Sequence, residues 1–287
     1  MRKKILTLVI FLLVAITASF PAQAATKISN GVPCAKLSTT SKVGTSVYIC
    51  SNGTVLNITK LVWLSKNCVD AAKQYYSAKA KFDQLNASAD KANKATMASI
   101  ESVKSKIQLA INRMILWKPT KVYMKDDVVY QQNDTYYVSL TSKNSGKMPT
   151  ENLGTDWMVY KPTAGNAKVG TSPDVDSVIL WKQRDVSKWT STLDRINKDI
   201  KALEAITKPT AADTKNLKTL KTLSATFTSG IAAGNKNIST MQSYVKELMT
   251  QNSLLAAVQA QSKLIEANRA DVTQLRSAQT TYCAKGK

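Results

Sequence analysis

The chain of 287 residues contains no histidine. Histidine is the side chain whose unperturbed pKa lies closest to neutrality, and it is the commonest general base and transition-metal ligand. Its absence argues against metal sites and against most acid–base catalysis. We therefore predict that the protein holds no metal ion and needs no cofactor.

Acidic residues are also scarce, with 19 Asp and Glu against 40 Lys and Arg. Glycoside hydrolysis, the reaction class considered below, needs two carboxylates about 5–10 Å apart in a cleft. The acids here are scattered at spacings typical of solvated helix faces, as in Asp194, Asp199 and Glu204. We therefore predict that the protein is not an enzyme.

Long apolar runs are missing after the first twenty residues. Met1-Arg2-Lys3-Lys4 is followed by the apolar run Ile5–Phe20 and by Pro21-Ala22-Gln23-Ala24, an A-x-A cleavage site. The alternative is a membrane anchor, but the run is short for a transmembrane span. We predict a signal peptide over residues 1–24, no transmembrane segment after its removal, and a secreted, extracellular protein. Association with the cell wall is a further alternative.

The net charge of +21 predicts anionic partners. For an exported protein the nearest candidates are anionic polymers of the cell wall, which the basic helices described below would contact. Lysines spread around a helical bundle more often form a solvated face than a nucleic-acid footprint. No nucleic-acid partner is expected.

Only four cysteines are present, namely Cys34, Cys50, Cys68 and Cys283. An even count in an exported chain indicates disulfides. A metal site is disfavoured because the spacings are wide and no C-x-x-C pair exists. Four cysteines allow three connectivities, and the helix pattern is needed to choose between them.

Residues 25–66 are predicted to form a small β-hairpin region. Asn52-Gly53 is a turn signal between the short runs Ser46–Cys50 and Thr54–Ile58. A Cys34–Cys50 disulfide would staple one hairpin. The segment Gly31-Val32-Pro33-Cys34 with the later Leu61-Val62-Trp63 resembles a two-cysteine hairpin module of secreted actinobacterial proteins, and a stapled cap on the following helices is the alternative.

Residues 67–116 and 172–283 are predicted to be helical, because apolar residues recur there in steps of three and four. Ser172-Pro173-Asp174 supplies helix-start signals, Lys208-Pro209 ends a helix, and the pattern slips near Asn252-Ser253. We predict four helices that run up, down, up and down. The fold class is mainly α with small β parts: a long antiparallel helical bundle or coiled-coil stalk with an inserted β-module.

The antiparallel arrangement selects the disulfide pairing. A turn near Asn252 returns Cys283 to the level of Cys68, whereas one continuous helix of roughly 110 Å would outrun its partners. A disulfide requires Cα atoms within about 7 Å. We predict Cys68–Cys283 at the base of the bundle and Cys34–Cys50 in the hairpin.

Residues 117–162, called the module below, break the helical pattern. They contain seven of the 19 aromatic residues and are close to neutral, with six basic residues against five acids. The module lies between a predicted rising helix and a predicted falling one. We therefore expect it at the free end of the stalk.

The spacing of residues in the module resembles that of carbohydrate-binding modules of families 5 and 12, the type-3 chitin-binding domain. It is closer still to the variant found in phage tail and receptor-binding proteins. The matching positions are Trp117, Tyr123, Asp127-x-Val129-Tyr130, Tyr136-Tyr137-Val138-Ser139-Leu140, Gly146-x-x-Pro149 and Trp157. Asp126 and Asp134 stand where the family has glycine, and aspartate tolerates the left-handed region well.

The resemblance implies a small β-fold that binds a polysaccharide. Flat aromatic rings stack on the apolar faces of sugar rings. The candidate carbohydrate-binding residues are Trp117, Tyr130, Tyr136, Trp157 and Tyr160, of which the last four are the better surface candidates. The alternative is that the aromatics form the core of the module, and this alternative is preferred for Trp117, Tyr123, Val129 and Tyr137.

Exposed tryptophans that follow the hairpin in chitin-binding members are absent from Ser139–Asn144, so the glycan stays open between a chitin-like and a cell-wall polymer. We predict a secreted or cell-surface, non-catalytic carbohydrate-binding protein. The alternatives are an envelope structural or interaction protein that acts through the basic bundle, and an accessory subunit of a polysaccharide-degrading system.

Overall fold

The computed structural model describes residues 27–162, 168 and 170–286. The predicted signal peptide lies outside the described residues. The predicted fold class is confirmed: the chain is mainly α-helical and carries two small three-stranded sheets. Of the described residues, those up to Ala87 and those from Lys263 onward form unit 1, and Ser88–Ser262 form unit 2.

The first sheet, in unit 1, is antiparallel and has the strand order β1-β2-β3. Strand β1 spans Thr40–Val43, β2 spans Ser46–Asn52 and β3 spans Leu61–Ser65. The prediction of a strand over Thr54–Ile58 is wrong, because Gly53–Leu56 is a short 3₁₀ helix. Asn57 ends it in the left-handed region, and the chain then turns back into β3.

Both disulfides have the pairing predicted from the sequence. Cys34 joins Cys50 and Cys68 joins Cys283, with Cα atoms 5.8 and 4.7 Å apart. The second disulfide is buried with Val62 and Leu64 of β3. Asn30 fastens the same corner, since its Nδ2 donates to the carbonyl oxygens of Tyr282 and Ala284 at 2.7 and 3.1 Å.

Four helices carry most of the described chain. Helix α1 spans Lys66–Met114, α2 spans Val175–Glu204, α3 spans Ala211–Ala267 and α4 spans Arg269–Tyr282. The predicted start of α2 is nearly right, but its N-cap is Asp174, whose carboxylate accepts the amide of Ser177 at 2.8 Å.

Within unit 2, both α1 and α2 lie antiparallel to α3. On α2, Asn197 accepts a hydrogen bond from Ser224 at 2.9 Å, and Glu204 pairs with Lys221 at 2.7 Å. On α1, Lys106 pairs with Glu247 at 3.5 Å, and Arg113, further along the helix, lies beside Asn237. Helices α1 and α2 therefore run in the same direction and cover successive stretches of α3.

The predicted up-down-up-down order is consequently wrong, as is the predicted turn at Asn252-Ser253. Helix α3 continues through both residues to Ala267. It needs no turn there, because α1 and α2 cover successive stretches of it, and their ends overlap where Ile107 and Ile111 pack with Val178 and Ile179. The module between α1 and α2 thus lies beside the middle of α3 and not at a free end of unit 2.

Two glycines allow α2 to approach α3 closely. A Cβ built on Gly234 would lie 2.6 Å from Cγ2 of Val186, whereas a Cβ on Gly230 would meet Cε3 of Trp189 at 3.8 Å, an ordinary contact. Both glycines cost helix stability relative to alanine, about 1 kcal/mol each. The spacing between the two helices is therefore set at Gly234.

This difference predicts opposite effects for the same substitution one turn apart. We expect Gly230→Ala to raise the free energy of unfolding by about 1 kcal/mol, through helix propensity. Gly234→Ala should lower it by about 1–3 kcal/mol, because the added methyl overpacks the stiff Val186 side chain. Urea denaturation of the two variants checks this, and an equal gain in both would contradict the close approach.

Candidate binding cleft

The second sheet belongs to the module and has the antiparallel order β4-β5-β6. Strand β4 spans Val128–Gln131, β5 spans Thr135–Ser139 and β6 spans Trp157–Val159. Successive side chains of a strand point to opposite faces. In this sheet each face packs against a different part of unit 2, and Met158 on the edge strand β6 stays exposed.

One face forms the core of the module itself. Tyr123, Val129, Tyr137 and Trp157 are buried together there, and Trp117 packs against them. Trp157 has no exposed surface, and its Nε1 donates to the carbonyl oxygen of Lys147 at 2.9 Å. The rings of Tyr123 and Trp157 meet edge to face with centroids 5.3 Å apart. This face is a closed core.

The opposite face packs on the helices. Tyr136 is buried in a cluster with α1 and α2 residues that include Ile107 and Val178. The Tyr136 hydroxyl donates to Oδ1 of Asn112 on α1, and Nε2 of Gln108 donates to Ser172 Oγ at 3.1 Å beside it. Burial raises the pKa of the Tyr136 hydroxyl. Tyr136 thus fastens the module to α1.

The packing of the two faces buries several of the residues predicted to bind carbohydrate. Tyr136 and Trp157 were named among the better surface candidates, but they are 4% and 0% exposed and cannot stack on a sugar. Trp117, Tyr130 and Tyr160 are half-buried. A module of this size has little else to bury, so its aromatic residues serve two packing interfaces.

Two aspartates of the module adopt the left-handed backbone that was expected for them. Asp126 and Asp134 have φ values of 68° and 58°. Asp134 also accepts a hydrogen bond from the Tyr130 hydroxyl at 2.9 Å, which raises the pKa of that tyrosine. In the Gly-x-x-Pro loop, Lys147 donates to Asp156 at 2.8 Å, and this bond lowers the pKa of the Asp156 carboxyl.

An open cleft lies where the module meets the helices, and we refer to it as the cleft. Its volume is about 450 Å³. It is lined by residues from four separate segments of unit 2: the end of α1, the loop that follows α1, one face of α2 and the glycine-bearing stretch of α3. The residues used below are Arg113, Lys118, Thr120, Lys121, Lys182, Asp185, Trp189 and Asn237.

Trp189 provides the aromatic surface of the cleft. It is half-buried and rests on α3, where Gly230 and Gly234 leave room for its ring. Thr120 and Asn237 line the same cleft and offer uncharged hydrogen-bonding groups. An aromatic ring beside a few polar groups is the composition expected of a sugar-binding site.

The cleft is also strongly basic. Arg113, Lys118, Lys121 and Lys182 line it against a single acid, Asp185. The Lys182 side chain is only 15% exposed, and its Nζ lies 3.4 Å from Asp185. Burial lowers the pKa of Lys182, and the nearby positive charge of Lys121 lowers it further.

The cleft is not evident from the sequence, because Trp189 lies within residues 172–283, whose apolar pattern predicts helix packing and no binding site. One signal was present in the sequence. Gly230 and Gly234 stand four residues apart within an otherwise helical pattern, on one face of α3. Paired glycines in a helix interior are costly unless something approaches them closely.

No protein-family model, curated protein or solved structure matches this chain. Across residues 27–162, 168 and 170–286, no helix is both long and apolar enough to cross a bilayer. The same residues contain no cluster of three or more metal-ligating side chains. The two disulfides are consistent with an extracellular protein.

Proposed function

We propose that the protein is a secreted, non-catalytic carbohydrate-binding protein that contacts a polysaccharide at the edge of the module. The cleft supports this proposal, because it combines the half-exposed ring of Trp189 with hydrogen-bonding groups in an open site. The observation that carries it is the position of Trp189, whose ring packs on Gly230 and Gly234 of α3 and lines the cleft.

The proposal moves the sugar-stacking role from the centre of the module to its border. Trp117 lies between Leu116 and Lys118, which both line the cleft, but its own ring packs against the module core. Tyr130 and Tyr160 pack against the helix cluster with only part of each ring exposed. In this arrangement the module fixes one wall of the cleft.

The test is polysaccharide binding by the mature protein and by three variants of α2. Trp189→Leu keeps an apolar side chain against Gly230 and Gly234 but removes the flat ring. Trp189→Phe retains a ring. Leu180→Ala, at an exposed position of the same helix, is the control. We expect Trp189→Leu to weaken binding about threefold to tenfold, with little effect in the other two variants.

Pull-down on chitin, cellulose, peptidoglycan and teichoic-acid-bearing walls measures these affinities. Binding that is unchanged in Trp189→Leu would contradict the cleft as the glycan site. Failure of every polysaccharide to bind would contradict the function itself. Binding that salt abolishes and Trp189 does not affect would favour the alternative, an envelope protein that acts through its basic helices.

A further inference from the structure

The cleft carries an excess of positive charge, which the binding of a neutral sugar does not require. Four cations and one acid line it. The cations come from three elements: Arg113 from α1, Lys118 and Lys121 from the loop after α1, and Lys182 from α2. They therefore line the same space although they belong to three elements.

Lys182 is the most informative of the four, because it is a lysine largely removed from water. Burial of a charged amine is unfavourable unless an opposite charge compensates it. Asp185 provides partial compensation at 3.4 Å, on the same helix. The neighbouring Lys121 opposes it. The arrangement leaves positive charge uncompensated at the wall of the cleft.

The other nearby acids do not remove this excess. Asp126 and Asp127 line a narrow pocket that Lys182 also borders, together with Arg184. Asp127 attracts Lys182, but its carboxylate already accepts the amide of Met124 at 2.9 Å within its own turn. Arg184 adds a further positive charge on that side. Three acids therefore face five cations around Lys121 and Lys182.

We infer that the cleft binds a phosphate group carried by the glycan, with Arg113, Lys121 and Lys182 as the contacting cations and Trp189 beneath the adjoining sugar or polyol. A tetrahedral phosphate presents oxygens in several directions and suits cations that converge from different elements. Arginine binds phosphate with two parallel N–H bonds, and lysine binds it as a point charge. This inference rests on the proposed function, since it names the chemical class of the ligand for the same cleft.

The experiment compares binding of three probes to the full mature chain by isothermal titration calorimetry. The probes are a polyol-phosphate wall polymer, a polyuronic acid of matched length and charge, and neutral chitin oligomers. We expect the phosphate polymer to bind about tenfold more tightly than the polyuronic acid at near-physiological salt. Equal affinity for the two anionic polymers would overturn the assignment of phosphate.

Matched lysine variants on α2 separate the cleft from the general charge of the protein. Lys182→Met keeps the length of the side chain and removes its charge, and Lys188→Met makes the same change at an exposed position. We expect Lys182→Met to weaken phosphate-polymer binding about tenfold and to flatten its salt dependence, while Lys188→Met changes affinity less than twofold. Equal losses in the two variants would overturn the site, and thermal melts of both verify folding.

Inorganic polyphosphate, a probe without sugar or polyol, distinguishes failure of this inference from failure of the proposed function. Loss of chitin-oligomer binding in Trp189→Leu, with no phosphate preference in any probe, would leave the carbohydrate function standing and overturn the phosphate site. Equal binding of polyphosphate and the polyol-phosphate polymer, with no effect of Trp189→Leu, would support the phosphate site and contradict carbohydrate recognition.

Discussion

Replacing Trp157 by alanine is expected to unfold the small sheet of the module and to lower the free energy of unfolding of unit 2 by about 3–5 kcal/mol. Trp157 is fully buried, and its ring packs against Tyr123 at the centre of the module core. The substitution creates a large cavity. It also leaves the carbonyl oxygen of Lys147 without its donor.

Met158 offers a matched control one residue along the same strand. Its side chain is 45% exposed on the opposite face of the sheet, so Met158→Ala should change stability by less than about 0.5 kcal/mol. Urea denaturation gives the two free energies, and amide hydrogen exchange of β5 shows whether the sheet opens. Comparable protection in Trp157→Ala and in the wild type would contradict a closed core.

The burial of Trp157 also decides how binding should be tested. Loss of glycan binding in Trp157→Ala would follow from loss of the module fold and would say nothing about sugar stacking. Trp189 is the informative position, because its ring lines the cleft on helix α2 and the leucine variant keeps the apolar contact with α3. The two tryptophans thus separate stability from recognition.

Removal of the Cys68–Cys283 disulfide is the second large effect. The bridge joins residues 215 positions apart, so in the chain-entropy account its loss destabilises the protein by about 5 kcal/mol. Alanine is the suitable replacement at both positions, because the two sulfurs are buried with Val62 and Leu64 and a serine hydroxyl would lack a partner there.

The Cys34–Cys50 bridge is the internal comparison. It closes a separation of only 16 residues, and its replacement by two alanines should cost about 3 kcal/mol. Guanidinium denaturation of the two double variants, followed by far-UV circular dichroism, measures the difference. A smaller loss for the long-range bridge than for the short-range one would contradict the entropic explanation.

Cys68–Cys283 also shows how a correct prediction can rest on an incorrect premise. The pairing was derived from a fold-back at Asn252, yet α3 passes through that residue without a turn. Apolar residues spaced three and four apart indicate which face of a helix is buried, but they do not indicate the direction in which the helix runs relative to its neighbours. Helix α2 could satisfy the same pattern running up or down, and contacts with α3 alone decided it.

The module gives a second example. Because Tyr136 and Tyr137 are adjacent in a strand, their side chains must lie on opposite faces of the sheet. Sequence patterning established that much. Whether the second face meets water or protein depends on α1 and on the segment just before α2, whose Asn112 and Ser172 hydrogen-bond the Tyr136 hydroxyl. Exposure could not be inferred from the module alone.

The sequence by itself determined the features that depend on neighbouring residues: the helical segments, the strands of the module, the left-handed turns at Asp126 and Asp134, and the supply of cysteines for two bridges. These follow from backbone preferences and side-chain periodicity. The tertiary structure alone decided the direction of α2, the burial of Trp157 and Tyr136, and the cleft. Arg113 and Lys121 lie close together in the chain, but Trp189 is almost seventy residues further on, and only packing on α3 brings them around one space.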